Sequence, residues 1–170
     1  MSDTNKHFSH EEAVKKVGEL IKDIKMAMLT TVCEEDGSLH SRPMVTQQVE
    51  FDGDLWFFTE NNTAKVKEID LEHEVNVSFA DSDHNRYVSV SGAGTFSEDR
   101  AKMKELWNPL YKAWFPKALE DPNILLLKVS VRRAEYWDSP SSTMMQVAGF
   151  VKAVMTGKRN EGSEHERVTM

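Results

Sequence analysis

The segment Met26–Glu60, MAMLTTVCEEDGSLHSRPMVTQQVEFDGDLWFFTE, predicts three consecutive antiparallel β-strands joined by tight turns. Apolar and polar residues alternate within its runs, which is typical of strands that bury one face. Acidic turns separate the runs, and the dipeptide Asp52-Gly53 between two apolar segments predicts a hairpin. Strands joined by bare turns cannot be parallel, so the segment argues against a doubly wound parallel sheet.

The sequence on either side of this segment predicts three more strands and several peripheral helices. Ser9 and Glu12 have the spacing of a capping box, and helical periodicity predicts a helix over residues 10–25. Gly92 and Gly94 indicate a bulge or a bend in the fifth strand. The other predicted elements are strands at residues 75–79, 87–96 and 124–137, and helices after Thr63, at 97–106 and at 141–155. The expected fold class is therefore mainly β, a six-stranded antiparallel β-barrel with peripheral helices.

Composition limits the functions that the chain can have. It has 170 residues and a formal net charge of −7, and this acidic balance argues against non-specific binding of nucleic acid. No apolar run approaches the roughly 20 residues of a membrane span, and the polar N-terminus does not resemble a secretory signal. The single Cys33 cannot form an internal disulfide, which suits a reducing cytoplasm, and we expect it to be a small buried hydrophobe.

The expected organisation is one domain with polar ends. Residues 1–9 are predicted to be a flexible N-terminal arm, residues 10–156 the barrel domain, and residues 157–170 a disordered tail with few apolar groups. The six histidines are scattered, and no Cys or carboxylate cluster accompanies them in the sequence. No metal site is therefore predicted.

Three residues are candidates for a phosphate site. Arg42, on the second strand, could bind an anion with its planar guanidinium fork, or it could be an ordinary solvent-facing residue. Thr63 and Lys65 open the short helix, where free N–H groups and the helix dipole favour an anion. A plain N-cap followed by a solvated lysine has the same pattern. Together the three residues suggest a phosphorylated cofactor held on a barrel.

Aromatic and amide side chains could hold the flat part of such a cofactor. Trp137, at the end of the last strand, could flank a heterocycle or serve as a rim or core aromatic. The polar groups of Thr46-Gln47-Gln48 could meet the polar edge of a ring. The aromatic segment Trp107–Phe115 is expected to pack over the barrel or at a subunit interface rather than to bind a base.

The order of these segments resembles that of a known family. MLTTV, HSRPM, LWFFTENNTAKVKEI, NVSFAD and YVSVSGAGTF follow one another as in the pyridoxamine 5′-phosphate oxidase-like FMN-binding split-barrel proteins. Within that superfamily the chain is most similar to the general stress protein 26 branch, over residues 10–155. The resemblance implies a six-stranded split barrel that forms a homodimer, with FMN bound at the subunit interface.

The resemblance also implies roles for individual residues. Arg42, Thr63 and Lys65 match the positions that hold the FMN phosphate. Phe58 and Thr59 match positions that line the ribityl and phosphate region. The remaining cofactor-binding positions are Pro43, the backbone of Met44, Val45, Thr46 and Gln47 beside the isoalloxazine ring, Tyr87 near the flavin, and Trp137 from the partner subunit.

The implied function is flavin-dependent oxidoreduction of a small substrate that the sequence does not identify. The alternative is a non-enzymatic flavin-binding stress protein, a flavin reservoir or redox sensor. The arginine- and histidine-bearing C-terminal segment that binds the vitamer in the true oxidase has no counterpart here, so pyridoxamine phosphate oxidase activity is not expected. FAD, deazaflavin and haem remain alternative ligands for a split barrel, and no general acid or base is apparent.

Overall fold

The computed structural model describes residues 9–138 and 164–169, which form one antiparallel sheet with helices at its periphery. The strands are β1 (Met26–Val32), β2 (Leu39–Val45), β3 (Asp54–Glu60), β4 (Glu74–Asp81), β5 (Arg86–Ser97), β6 (Ile124–Asp138) and β7 (Glu164–Thr169). The helices are α1 (His10–Ile21), α2 (Ala64–Leu71) and α3 (Arg100–Leu106), with short 3-10 segments at Pro109–Ala113 and Ala118–Glu120. All pairings between these strands are antiparallel, so the predicted mainly β fold is confirmed.

The long strand β6 organises the sheet. The strand order is β2-β1-β4-β5-β6-β3, and β7 also pairs with β6. One edge of β6 pairs with β3 through Ile124–Ser130 and with β7 through Arg133–Asp138, while its other edge pairs with β5. The inward-facing side chains form the main core, in which Leu29, Phe57 and Tyr136 are fully buried. Each such side chain stabilises the fold by about 1.5–3 kcal/mol relative to an exposed one.

A predicted irregularity in β5 is confirmed by its pairing with β6. The register shifts between Ser91 and Gly92, as expected for a β-bulge. A Cβ atom at Gly92 would lie 2.2 Å from the carbonyl oxygen of Ser130. Only glycine therefore allows the two backbones to approach this closely.

The predicted hairpin between the second and third strands is wrong. β2 and β3 lie at opposite ends of the strand order, and β3 pairs with β6 instead. Gly53 does have the positive φ of a turn, 107°, but the turn leads into β3 without returning to β2. After β2, hydrogen bonds from Thr46 to the carbonyl oxygens of Ile24 and Lys25 draw the chain toward α1. Phe51 then packs beside Gly18 of that helix, so the segment between β2 and β3 follows α1.

The prediction of a disordered tail at residues 157–170 is wrong for Glu164–Thr169, which form β7. The free edge of β6 supplies their hydrogen-bonding partners, and Val168 is buried opposite Ala134. His165 and Arg167 also bind the Glu135 carboxylate. The sheet therefore has seven strands where six were expected. The predicted helix at 141–155, the rest of the tail, and residues 1–8 of the predicted arm lie outside the described residues.

The capping box predicted for the first helix is confirmed. Ser9 Oγ accepts a hydrogen bond from the Glu12 amide at 3.3 Å, and Glu12 Oε2 accepts one from the Ser9 amide at 2.8 Å. The helix ends at Ile21 and not at residue 25, since β1 begins at Met26 and needs a short connection. No helix among the described residues is long and apolar enough to cross a membrane.

A second apolar cluster positions the aromatic segment against β3. Phe58 contacts Trp107 edge to face at a centroid distance of 5.4 Å and Tyr111 at 5.6 Å. Met103 and Leu106 of α3 complete this cluster from the other side. The expectation that the segment packs over the barrel is confirmed, and the packing leaves a cavity beside Phe58.

Candidate functional site

A cavity of about 330 Å³ lies between the end of β2, the end of β3 and the aromatic segment. It brings together most of the residues that the sequence singled out for cofactor binding. These are Pro43, Met44, Val45, Gln47, Phe58, Thr59, Thr63 and Lys65. The strand ends and the start of α2 therefore converge on one concave site, as small-molecule sites commonly require.

Lys65 is the polar centre of this cavity. Its Nζ donates hydrogen bonds to Thr59 Oγ1 at 2.8 Å and to Thr63 Oγ1 at 3.3 Å. Thr59 ends β3 and Thr63 precedes α2, so two separate elements fix the position of the ammonium group. This rigidity suits a point of attachment for an anion.

Thr63 does not act as the side-chain cap that the sequence suggests. It occupies the N-cap position of α2, but its hydroxyl donates to the Glu60 carbonyl oxygen at 3.0 Å, and no side chain caps the first turn. The Val66 amide donates to the Thr63 carbonyl oxygen at 3.1 Å, which leaves the amides of Ala64 and Lys65 to bind a ligand. The helix dipole favours a negatively charged one.

The electrostatics of Lys65 also point to an anion. Burial lowers the pKa of Lys65, the nearby Arg42 guanidinium lowers it further, and Glu60 and Glu68 offset only part of the effect. Two positive charges are thus held close together in a partly buried place. A bound anion would relieve their repulsion.

Arg42 takes a different position from the one expected, because it does not line the cavity. Its Nη1 donates to Thr31 Oγ1 at 2.7 Å, and its Nη2 donates to Glu68 Oε2 at 2.8 Å. It is therefore neither a solvent-facing strand residue nor a free anchor, but a partly buried partner of a carboxylate. Glu68 was missed from the sequence, since 26 positions separate it from Arg42 and its neighbours carry no signal for the contact.

The aromatic segment adds lining residues that sequence reasoning assigned to packing alone. Tyr111, Trp114 and Phe115 line the cavity, and the Tyr111 hydroxyl donates to Gln47 Oε1 at 3.1 Å. Burial raises the pKa of Tyr111, and the hydrogen bond to Gln47 opposes this only in part. Tyr111 is thus a neutral donor that orients Gln47. In the sequence, the clustering of these aromatic residues was the signal that could have identified them as lining residues.

Tyr87, Trp137 and Thr46 are not brought into the cavity. Tyr87 and Trp137 are directly paired across β5 and β6, and Trp137 stacks on His165 of β7 at a centroid distance of 4.8 Å. Both are partly exposed. The Thr46 side chain is buried and donates to the Ile24 carbonyl oxygen, which gives it a structural role in the turn toward α1.

Tyr87 and Trp137 nevertheless share one face of the sheet with Pro43, which lines the cavity. The strand register aligns Pro43, Met28, Ser78, Ser89 and Glu135 in one row across five strands. Tyr87 and Trp137 lie two positions from the last two members of this row and therefore point to the same side. Phe58 of the cavity pairs with Leu126 of β6, and Trp137 lies eleven residues further along that strand. At about 3.3 Å per residue this is roughly 36 Å of strand, so Trp137 is too far away to cover the cavity within one chain.

Comparison with known proteins identifies the class of this fold and site. The chain belongs to the pyridoxamine 5′-phosphate oxidase like family, whose model matches residues 12–161. The general stress FMN/FAD binding protein from Xanthomonas citri is 31% identical, with a TM-score of 0.66 over 78% of this chain and 92% of that one. The General Stress Protein 26 from Bacillus anthracis is 25% identical, with a TM-score of 0.64 over 73% of this chain and 92% of that one. Protein bli-3 from Neurospora crassa is 29% identical over 87% of this chain and 75% of its own length.

The predicted split-barrel fold and the general stress protein branch are both confirmed by these similarities. The ordered strand segments, read together, were therefore a sufficient signal for the family. The similarities do not themselves assign a substrate or a role to any one residue of this chain.

Proposed function

We propose that this protein binds FMN as a homodimer and uses it in redox chemistry on a small substrate. The observation that carries the proposal is the fixed ammonium of Lys65, held by Thr59 and Thr63 at an uncapped helix start. The FMN/FAD-binding description of the 31% identical Xanthomonas citri protein supports a flavin as the ligand.

The residues present fit a flavin phosphate. The phosphate would accept hydrogen bonds from Lys65, from the Thr59 hydroxyl and from N–H groups of the first turn of α2, while Thr63 holds Lys65 in place. Arg42 adds positive charge beside this place, although its hydrogen bonds go to Thr31 and Glu68. Because the cavity of about 330 Å³ is at the small end for ligand sites, the ring system would lie along the lip formed by Pro43, Met44 and Val45.

The lip is where a second copy of the chain would be needed. The outer face that joins the lip to Trp137 carries small polar residues and the exposed Met26 and Met28. Since one chain cannot bring its own Trp137 to its own cavity, a dimer formed through this face would let each copy cover the flavin of the other. This geometry supports the homodimer with FMN at the interface. The single Cys33 is consistent with a cytoplasmic location, which we also propose.

The chain's own residues would bind and orient the cofactor. Gln47, held by Tyr111, would present its amide to the ring edge, and Trp114 would shield the cavity from water. When bound, FMN would supply the hydride or electron transfer that protein side chains cannot perform. No proton-transfer role is assigned to a side chain.

Absorption spectroscopy of the purified protein tests the binding proposal. The visible spectrum and the mass of the released ligand should identify FMN at about one per chain. FAD, deazaflavin or haem would each give a different mass, and the last a different spectrum. Any of these as the resident ligand, or a chain that binds no flavin in titration, would overturn the assignment of FMN.

One observation favours the second candidate, a flavin carrier or sensor without enzymatic turnover. Among the described residues that line the cavity, Glu60 is the only carboxylate and there is no histidine. Mixing the FMN-loaded protein rapidly with NADH or NADPH separates the two functions. Fast reduction followed by repeated turnover with an acceptor supports the oxidoreductase, while no reduction by any physiological donor supports the carrier.

A further inference from the structure

A second group of functional side chains lies outside the cavity, at the β1–β2 hairpin. One ligand atom each from Cys33, His40 and Glu68 lies within 4.8 Å of the other two. Cys33 directly follows β1, His40 lies on β2 opposite Thr31, and Glu68 is on α2, which packs against β1. The fold thus brings together a thiol, an imidazole and a carboxylate that the sequence keeps apart.

The Glu68 carboxylate is held with one oxygen anchored and the other directed at His40. Oε2 accepts hydrogen bonds from Thr31 Oγ1 at 2.5 Å and from Arg42 Nη2 at 2.8 Å, while Oε1 lies 3.2 Å from His40 Nδ1. The two hydrogen bonds to Oε2 fix the orientation of the carboxylate. Oε1 is therefore the oxygen that faces the cluster.

His40 and Cys33 are held in place by the hairpin turn. His40 Nε2 lies 3.4 Å from Ser38 Oγ, which donates to Asp36 Oδ1 at 2.6 Å. Backbone hydrogen bonds hold Cys33 in the same turn, because its amide donates to the Ser38 carbonyl oxygen at 2.8 Å and its carbonyl oxygen accepts from the Gly37 amide at 2.9 Å. Hydrogen-bonding partners of this kind commonly orient the ligands of protein-bound metal ions.

We propose that Cys33, His40 and Glu68 form a Zn²⁺ site with a fourth position open to solvent. Zn²⁺ takes thiolate, imidazole and carboxylate ligands in tetrahedral sites, whereas Mg²⁺ and Ca²⁺ take oxygen ligands. Ligand atoms around tetrahedral Zn²⁺ lie about 3.3–3.8 Å apart, so closure from 4.8 Å requires only small side-chain rotations. The His40 side chain is 49% exposed, which leaves the ion a path from solvent.

Metal titration of the reduced, tag-free full chain tests the site. We expect calorimetry to give one Zn²⁺ per chain, and Co²⁺ to produce a thiolate-to-cobalt charge-transfer band in the near ultraviolet. Cys33→Ser and His40→Gln should each weaken Zn²⁺ binding by more than about 100-fold, since loss of an outer partner alone costs about 10- to 100-fold. The Co²⁺ charge-transfer band should disappear in Cys33→Ser.

His84→Gln is the matched control. His84 also pairs with a carboxylate, since its Nδ1 lies 2.7 Å from Asp81 Oδ2, but neither residue belongs to the cluster of Cys33, His40 and Glu68. Its removal should leave Zn²⁺ affinity unchanged. If Cys33→Ser fails to fold, the rate at which a maleimide labels Cys33 in the unmodified chain still tests the site. One equivalent of Zn²⁺ should slow this labelling at least tenfold. Binding that survives Cys33→Ser, or a labelling rate that Zn²⁺ leaves unchanged, would refute the site.

Discussion

Arg42 Nη2 donates to Glu68 Oε2 at 2.8 Å. Arg42 influences Lys65 in the candidate cofactor cavity, and Glu68 belongs to the cluster that it forms with Cys33 and His40. On one side, the Arg42 guanidinium disfavours the charged form of Lys65 and lowers its pKa. On the other side, Glu68 Oε1 faces His40. Arg42 therefore acts by its charge on the proposed anion site while its hydrogen bonds stabilise the α2–β1 contact.

Replacing Glu68 should destabilise the protein. Glu68→Gln keeps the shape of the side chain but leaves the Arg42 charge without its counterion in a partly buried place. We expect a loss of about 2 kcal/mol in the free energy of unfolding, measured with urea. Glu105→Gln is the control, since Glu105 forms an exposed pair with Lys102 and should change stability by less than about 1 kcal/mol. Equal effects for both variants would show that the Glu68 pair is unimportant.

Acid should unfold the unmodified protein through the same group. The pKa of Glu68 is lowered below the ordinary value of 4.5, so the folded state binds this proton less readily than the unfolded state. The stabilisation by Glu68 is present above pH 4.5 and is lost as the pH falls through the lowered pKa. The free energy of unfolding between pH 5 and 3 should therefore fall more steeply than in Glu68→Gln. Parallel pH profiles would contradict the assignment.

Gly92→Ala should disrupt the bulge between β5 and β6. The added Cβ would lie 2.2 Å from the Ser130 carbonyl oxygen, so the strands must separate. We expect a loss of at least about 3 kcal/mol or a failure to fold, measured by thermal unfolding. Gly18→Ala is the matched control, because its Cβ would make an ordinary 3.4 Å contact with Phe51 and alanine favours the helix. A Gly92→Ala protein as stable as Gly18→Ala would show that the bulge is not needed.

Trp137→Ala tests whether the tryptophan covers the flavin of a partner chain. We expect FMN affinity to fall at least about tenfold without loss of the dimer in sedimentation, consistent with the stacking energy of an aromatic pair. Leu71→Ala removes another exposed apolar side chain and should leave FMN affinity unchanged. Unchanged affinity in Trp137→Ala would make this residue a structural aromatic that stacks on His165.

Most of the fold followed from local sequence patterns. Alternating apolar and polar residues predicted the strands, the spacing of Ser9 and Glu12 predicted the capping box, and Gly92 indicated the bulge. Each of these features depends on residues that are close together in the sequence. The pairing of β3 with β6 could not be predicted in this way. It depends on contacts of the connecting segment with α1, and nothing in the segment itself records them.

The candidate site was predicted less completely than the fold. Lys65, Thr63 and Thr59 meet as expected, since they are close in sequence at a strand end and a helix start. The partners of Arg42 and of Cys33 were missed, because α2 brings Glu68 to both from far along the chain. Trp137 illustrates a further limit: its proposed role depends on a second copy of the chain.

The most direct test of the central claim compares FMN with riboflavin, which lacks the phosphate, in binding to Lys65→Met. Lys65→Met removes the ammonium group, whose charge burial already disfavours, and keeps a side chain of similar length. Urea unfolding of the ligand-free variant checks that it remains folded. Lys67→Met, at an exposed position of the same helix, is the control. We predict that calorimetry will show FMN affinity reduced by about 10- to 100-fold in Lys65→Met, with riboflavin affinity and the Lys67→Met protein nearly unchanged. Equal losses for FMN and riboflavin, or no loss for either, would contradict the phosphate site.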